Sequence, residues 1–177
     1  ARASGAEERS ARTSRNLALP VRRALAERWP DLMRANGGGA NAVLSRLPIV
    51  AQGSVRLRTR PERRVAQLVR LGDGTALANY HGSTRVPLAA DELARLWTLA
   101  CAWADGAPLV LAGDLNLRAP SAPARAVHVA ARDVDHVFAV GMHATEEVRR
   151  LARQVTVAGR DVELSDHIPL LVGMARD

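Results

Sequence analysis

Three short polar clusters close otherwise apolar stretches of this chain: NYHGS at 79–83, GDLN at 113–116 and SDHIPL at 165–170. Between them they hold His81, Asp114, Asn116, Asp166 and His167. A strand alternates its faces with period two, so Asp114 and Asn116, at the end of the Leu109–Leu111 run, are expected on one side. Gly113 removes the side chain beside the turning point. Taken singly, each cluster reads as a turn, because Asp, Asn and Gly are common wherever strands end. Taken together they combine oxygen ligands for a hard divalent cation, an imidazole to take a proton from water, and donors for phosphoryl oxygens. That inventory suits metal-assisted cleavage of a phosphate ester.

The elements that must position these groups follow from the pattern of apolar residues. Residues 1–16, ARASGAEERSARTSRN, are polar with no apolar period and read as a poorly packed segment preceding a single domain at 17–177. LALPVRRALAERW has a helical face at Val21, Leu25 and Trp29. A glycine-rich loop with Gly37, Gly38 and Gly39 runs into a short strand at 42–44, and it does not match a nucleotide-binding fingerprint. A strand meander follows, with a hairpin turn at Gly72-Asp73-Gly74. The stretch 88–104 is the clearest helix, with Asp91 and Glu92 suited to its first turn. Strands are expected at LVLAGDLN, at VDHVFAVG and at the final PLLVGM, while EEVRRLARQVTV fits either a polar helix or a strand. Hairpin strands broken by a few helices fit a layered α+β sandwich better than a doubly wound parallel sheet.

Composition narrows the chemistry further. The 177 residues are 47% hydrophobic and 24% charged, as in an ordinary soluble domain. Every basic side chain is arginine, because the sequence contains no lysine, which excludes Schiff-base and Walker-type lysine chemistry. The net charge of +7 favours polyanionic partners such as nucleic acid, phosphorylated small molecules or acidic lipid. The single cysteine, Cys101, rules out an internal disulfide and reads as a buried thiol. No stretch is long and apolar enough to span a membrane and no signal peptide is visible, so location is left open with a lean to the cytoplasm.

In that order, LSRLPI, NYHGS, LVLAGDLN, VDHVF and SDHIPLLV resemble the motifs of the endonuclease/exonuclease/phosphatase superfamily over roughly residues 40–174. The resemblance implies a four-layer αββα sandwich with the active site where strand-end loops converge, and hydrolysis dependent on Mg²⁺ or Mn²⁺. It implies that His167 is the general base and that Asp166, beside it, is a metal ligand or orients the site. It gives Asp114 and Asn116 the task of positioning the nucleophile and contacting phosphate, and His81 that of hydrogen-bonding a phosphoryl oxygen. Asp135 in VDHVF is implied as a supporting group, and Asn41 before AVLSR is a supporting candidate whose plainer reading is a loop residue.

The chain also departs from the family pattern. A strand carrying Asn and a second ending in Gln-Glu normally come first, and that glutamate is the principal metal ligand. Glu8 has about the right spacing for that role, with Glu7 the adjacent option, yet RASGA before them is a poor strand. Either the family domain is N-terminally truncated here or its metal site is rebuilt, and weak Mg²⁺ binding is the expectation. The rival reading is a non-catalytic member that binds nucleic acid or a protein partner.

Overall fold

The computed structural model describes residues 5–13, 18–29, 39–163 and 165–177. In chain order the first elements are β1 (Glu7–Arg12), α1 (Leu19–Arg28), β2 (Ala40–Ser45), β3 (Ile49–Arg58), β4 (Arg64–Leu71) and β5 (Ala76–Asn79). Then come α2 (Val86–Ala104), β6 (Leu109–Asp114), β7 (Val127–Arg132), β8 (Asp135–Val140) and β9 (Met142–Ala144). The last are β10 (Arg149–Arg150), β11 (Gln154–Val157), β12 (Arg160–Glu163), β13 (Leu170–Leu171) and β14 (Met174–Arg176).

Six of these strands form one mixed sheet in the order β3-β4-β5-β6-β8-β7. The meander β3-β4-β5 is antiparallel, and its second turn is the expected Gly72-Asp73-Gly74 hairpin. There the Thr75 amide donates to the Asp73 carboxylate at 2.9 Å, and Gly74 takes a φ of +89°. β5 and β6 run parallel, so the chain must return to the same edge, and α2 makes that crossover. Ala89, Leu93, Leu96, Trp97, Ala100 and Ala104 form one helical stripe, all buried against Leu109, Leu111, Ala78 and Phe138 of the sheet. Alanine at three of those six stripe positions lets the helix approach the sheet closely, which is how a core with few aromatics fills its volume.

The opposite face of the sheet is covered by two-stranded ribbons. β1 and β2 pair antiparallel and are tied across by polar side chains. Asn41 donates to the carbonyls of Val65 (2.9 Å) and Asn79 (3.2 Å), and the buried Gln67 donates to the Arg9 carbonyl at 2.9 Å. The ribbons β9–β14 and β10–β13 carry the C-terminal segment, and the hairpin β11–β12 is exposed along its whole length. The architecture is therefore the α+β sandwich expected from the strand pattern.

Several expectations need correction. Residues 7–12, read as part of a poorly packed segment, form β1, whose pairing with β2 rests on backbone hydrogen bonds with only Ala11 buried. Of the expected helical face, Val21 on α1 and Trp29 just beyond its end are exposed, at 59% and 49%. Cys101 is exposed, because it sits one position beyond Ala100 and off the buried stripe of α2. α2 begins at Val86 with a proline in its opening turn, so Asp91 and Glu92 fall after the first turn. β7 had no apolar signal strong enough to announce it, and EEVRRLARQVTV supplies strands β10 and β11. PLLVGM divides between β13 and β14. Gly37 and Gly38 of the glycine loop lie outside the described residues.

Leu111 is fully buried between the sheet and α2. Leu111→Ala should cost about 2–5 kcal/mol in chemical denaturation, whereas Val157→Ala, on the exposed hairpin, should stay within about 0.5 kcal/mol. Equal losses at the two positions would contradict this placement of the core.

Candidate active site

The parallel register that pairs Asn79 with Ala112 makes β5 and β6 end side by side. The pairing continues past both ends. The Tyr80 amide donates to the Ala112 carbonyl at 3.3 Å and the Gly82 amide to the Asp114 carbonyl at 2.8 Å. Glycine is required at both crossings. A side chain on Gly113, whose φ is +150°, would collide with the Tyr80 carbonyl, and one on Gly82 would collide with the Leu115 carbonyl. β8 begins where β6 ends, with Asp135 opposite Asp114. His81, Asp114 and Asp135 thus reach one edge of the sheet by pairing alone.

His167 arrives from the C-terminal segment and completes the group. Its Nδ1 lies 2.7 Å from Asp135 Oδ2, while Asp114 Oδ2 lies 3.8 Å from its Nε2 and 3.5 Å from His81 Nε2. The Ser165 hydroxyl accepts the His167 backbone amide at 3.0 Å and fixes the approach. The hydrogen bond to Asp135 raises the His167 pKa; partial burial opposes this, and the charges of Asp135, Asp114 and Asp166 add to the rise. With Nδ1–H donated to a carboxylate, a neutral His167 carries its lone pair on Nε2, the nitrogen turned toward Asp114.

Asn116 joins the cluster by a different route from the one expected. It lies beyond β6 with φ +53°, so strand alternation does not orient it. Its amide N–H donates to Asp114 Oδ1 at 2.9 Å, closing an Asx turn, and its side-chain Nδ2 donates to the Gly82 carbonyl at 2.9 Å. The turn and the expected pair are the same structure.

A group that the sequence reading assigned elsewhere anchors the loop bearing His81. Glu92 of α2 is fully buried and accepts from the Tyr80 hydroxyl, the Ser83 amide (3.0 Å), the Ser83 hydroxyl (2.7 Å) and Arg58 Nε. Burial pushes its carboxyl pKa up, but these hydrogen bonds outweigh that effect and hold it below the ordinary value. Burial and the Glu92 carboxylate drive the Tyr80 hydroxyl pKa far up, so the phenol remains a donor. One signal in the sequence pointed here: Glu92 interrupts the apolar stripe Ala89, Leu93, Leu96, where a charge needs buried partners.

Four candidates lie outside the hydrogen-bonded group. Asp166 is exposed, and its contact is through its backbone, whose carbonyl accepts from Arg153 at 3.4 Å. Glu8 is exposed and pairs with Leu44, whereas the site end of β1 is Arg12, opposite Ala40. Four residues of strand place it about 13 Å from that end, so it does not belong to the site. Glu7 is engaged at the same far end, accepting the Ile49 amide at 2.8 Å. Asn41 uses its amide to tie β2 to the sheet and does not enter the cleft. The acidic residues do not form a cation cage: among the described residues no three His, Cys, Asp or Glu side chains converge as a metal-binding group.

A mixed sheet with a helical layer on one face, strand ribbons on the other, and histidines and carboxylates gathered at the strand ends is the arrangement of a phosphoesterase- or nuclease-type fold. The chain belongs to the Endonuclease/Exonuclease/phosphatase family, whose sequence profile matches residues 7–167. Solved structures agree on the fold. A family protein from Bacteroides thetaiotaomicron superposes with a TM-score of 0.60 at 14% identity, covering 97% of this chain and 99% of that one. The human Nocturnin catalytic domain with bound sulfate gives 0.59 at 14%, covering 99% and 74%. D. rerio TDP2 complexed with a single strand DNA product gives 0.60 at 12%, covering 98% and 78%. No curated protein sequence matches the chain.

The raised His167 pKa has a consequence for stability. The Asp135 contact contributes most below the unfolded histidine value of about 6.5, and its contribution is lost as pH rises through the higher folded value. Asp135→Asn should lower the His167 pKa in a proton NMR titration and flatten that part of the stability profile. An unchanged titration would show that Asp135 does not set the charge of His167.

Proposed function

We propose that the chain is a phosphoesterase in which His167 activates water for in-line attack on phosphorus. The observation that carries this reading is the placement of His167, with Asp135 on Nδ1 and an Nε2 lone pair open toward Asp114. As the oxygen–phosphorus bond forms, the water proton passes to Nε2 and the bond from phosphorus to the leaving oxygen breaks. The imidazolium that results is stabilised by Asp135, with Asp114 at the other end of the ring. His81, half exposed at the mouth, is the donor for a phosphoryl oxygen, and Asn116 holds the Gly82 carbonyl so that the His81 loop keeps its place. Asp166 acts on His167 by charge alone.

The Mg²⁺ or Mn²⁺ that family resemblance implies does not fit the carboxylates as they stand. Asp135 is taken by His167, Asp114 holds the Asn116 turn and faces both histidines, Asp166 lies exposed beside His167, and Glu8 is at the wrong end of β1. No step above runs through a metal ion. Calorimetric titration with Mg²⁺ should show weak binding that Glu8→Gln leaves unchanged. Tight binding lost in that variant would restore Glu8 as a ligand.

The substrate class is a phosphate ester, with nucleic acid favoured by the net charge of +7 and by the DNA product described for the TDP2 relative. No helix among the described residues is long and apolar enough to cross a membrane. That no metal set converges among the described residues favours the second reading, a family member that binds nucleic acid or a protein partner without cleaving it. DNA, RNA, a phosphodiester lipid and inositol phosphates, assayed with Mg²⁺ and Mn²⁺ supplied, separate the two. Turnover of at least one, reduced about a hundredfold to ten-thousandfold by His167→Ala with the fold intact, is the expected result. Binding without turnover of any would establish the non-catalytic reading.

A further inference from the structure

His81 also lines a second depression, one that His167 does not line. Its walls are Thr13 just beyond β1 and Thr59, Glu62, Arg63 and Arg64 of the β3–β4 turn. This turn belongs to a very arginine-dense stretch: residues 56–64, RLRTRPERR, hold five arginines and one glutamate. Two of the five are engaged with named carboxylates. Arg58 binds Glu92 and, at 3.2 Å, Asp91, and Arg64 Nη2 binds Glu62. Arg64 is nevertheless incompletely satisfied: its side chain is 13% exposed and its Nε is buried with no hydrogen-bond partner. Arg132 Nε on the His167 side is likewise buried and unpaired, so what sets the depression apart is its charge and not this N–H.

The two sides of the catalytic group differ in charge. On the His81 side, the depression has two arginines and one glutamate. On the His167 side, Asp133, Asp135 and Asp166 offset Arg132, Arg153 and His167, so the wall carries no excess of positive charge. A substrate bearing one phosphate at the scissile position would leave this asymmetry unused.

We propose, on the phosphoesterase reading above, that the depression formed by Thr13, the Thr59–Arg64 turn and His81 is an anion subsite for a second phosphate of the substrate. That phosphate sits on the His81 side of the scissile group. Arginine suits it, because the planar guanidinium offers paired donors to phosphate oxygens. The same chemistry is presented by the next phosphate along a nucleic-acid strand and by a second phosphate on a small polyphosphorylated molecule.

Equilibrium binding tests this without requiring turnover. A trideoxynucleotide is compared with the dideoxynucleotide one phosphate shorter, and an inositol bisphosphate with the monophosphate. In whichever source is correct, the added phosphate should tighten binding roughly tenfold or more. Arg63→Gln, which leaves the Arg64–Glu62 pair intact, and Arg64→Gln should each reduce that gain, while Arg132→Gln should preserve it. No gain from the added phosphate in either series, including no binding at all, overturns the subsite, as does a gain that both turn variants retain. Loss of turnover assigned to a residue other than His167 would overturn the catalytic reading and leave these binding differences standing.

Discussion

The site depends on how closely two parallel strands can run past their own ends. β5 and β6 leave the sheet together, and Gly82 and Gly113 allow each strand's backbone to pass the other's carbonyls where any side chain would collide. Because that contact persists beyond the regular strands, the His81 loop and the Asp114–Asn116 turn form one unit. The Asn116 amide, donating to the Gly82 carbonyl, and the Gly82 amide, donating to the Asp114 carbonyl, join its two halves. β8, antiparallel to β6, then delivers Asp135 to the same edge.

A buried charge keeps this unit in place. Glu92 brings a carboxylate into the interface between α2 and the sheet, which would be strongly unfavourable if it were unpaired. Tyr80, Ser83 and Arg58 supply donors to both of its oxygens. The crossover helix therefore packs the core and also grips the loop on either side of His81. Loop and helix are consequently specified together: a shift of one leaves the buried carboxylate without partners.

The cluster of histidines and carboxylates is asymmetric in its electrostatics. His167 sits among three aspartates that favour its charged form, whereas His81 opens on a turn rich in arginine. The raised His167 pKa moves its neutral form toward higher pH. The family architecture is retained, while among the described residues the carboxylates do not converge as a cation cage, and β1 places its glutamates at the far end of its ribbon.

His81, Asp114 and His167 were legible in the sequence because each ends an apolar run with residue types that do chemistry, and their order resembles one family's. The crossover helix and the strands at 109–114 and 135–140 were legible for a related reason, since apolar periodicity reports burial on one face. β1 was not, because a strand held mainly by backbone pairing writes little into its side chains. The roles of Asp135 and Glu92 were decided by tertiary structure. Asp135 finds His167 across 32 positions of chain, and Glu92 serves the loop before its helix instead of the helix end. Glu8 shows the converse: spacing to a motif does not fix where a carboxylate lies. The sequence by itself determined which groups were available and which segments would be buried. Strand register decided which of those groups meet, because a ligand or a base works only at distances that pairing across the sheet sets.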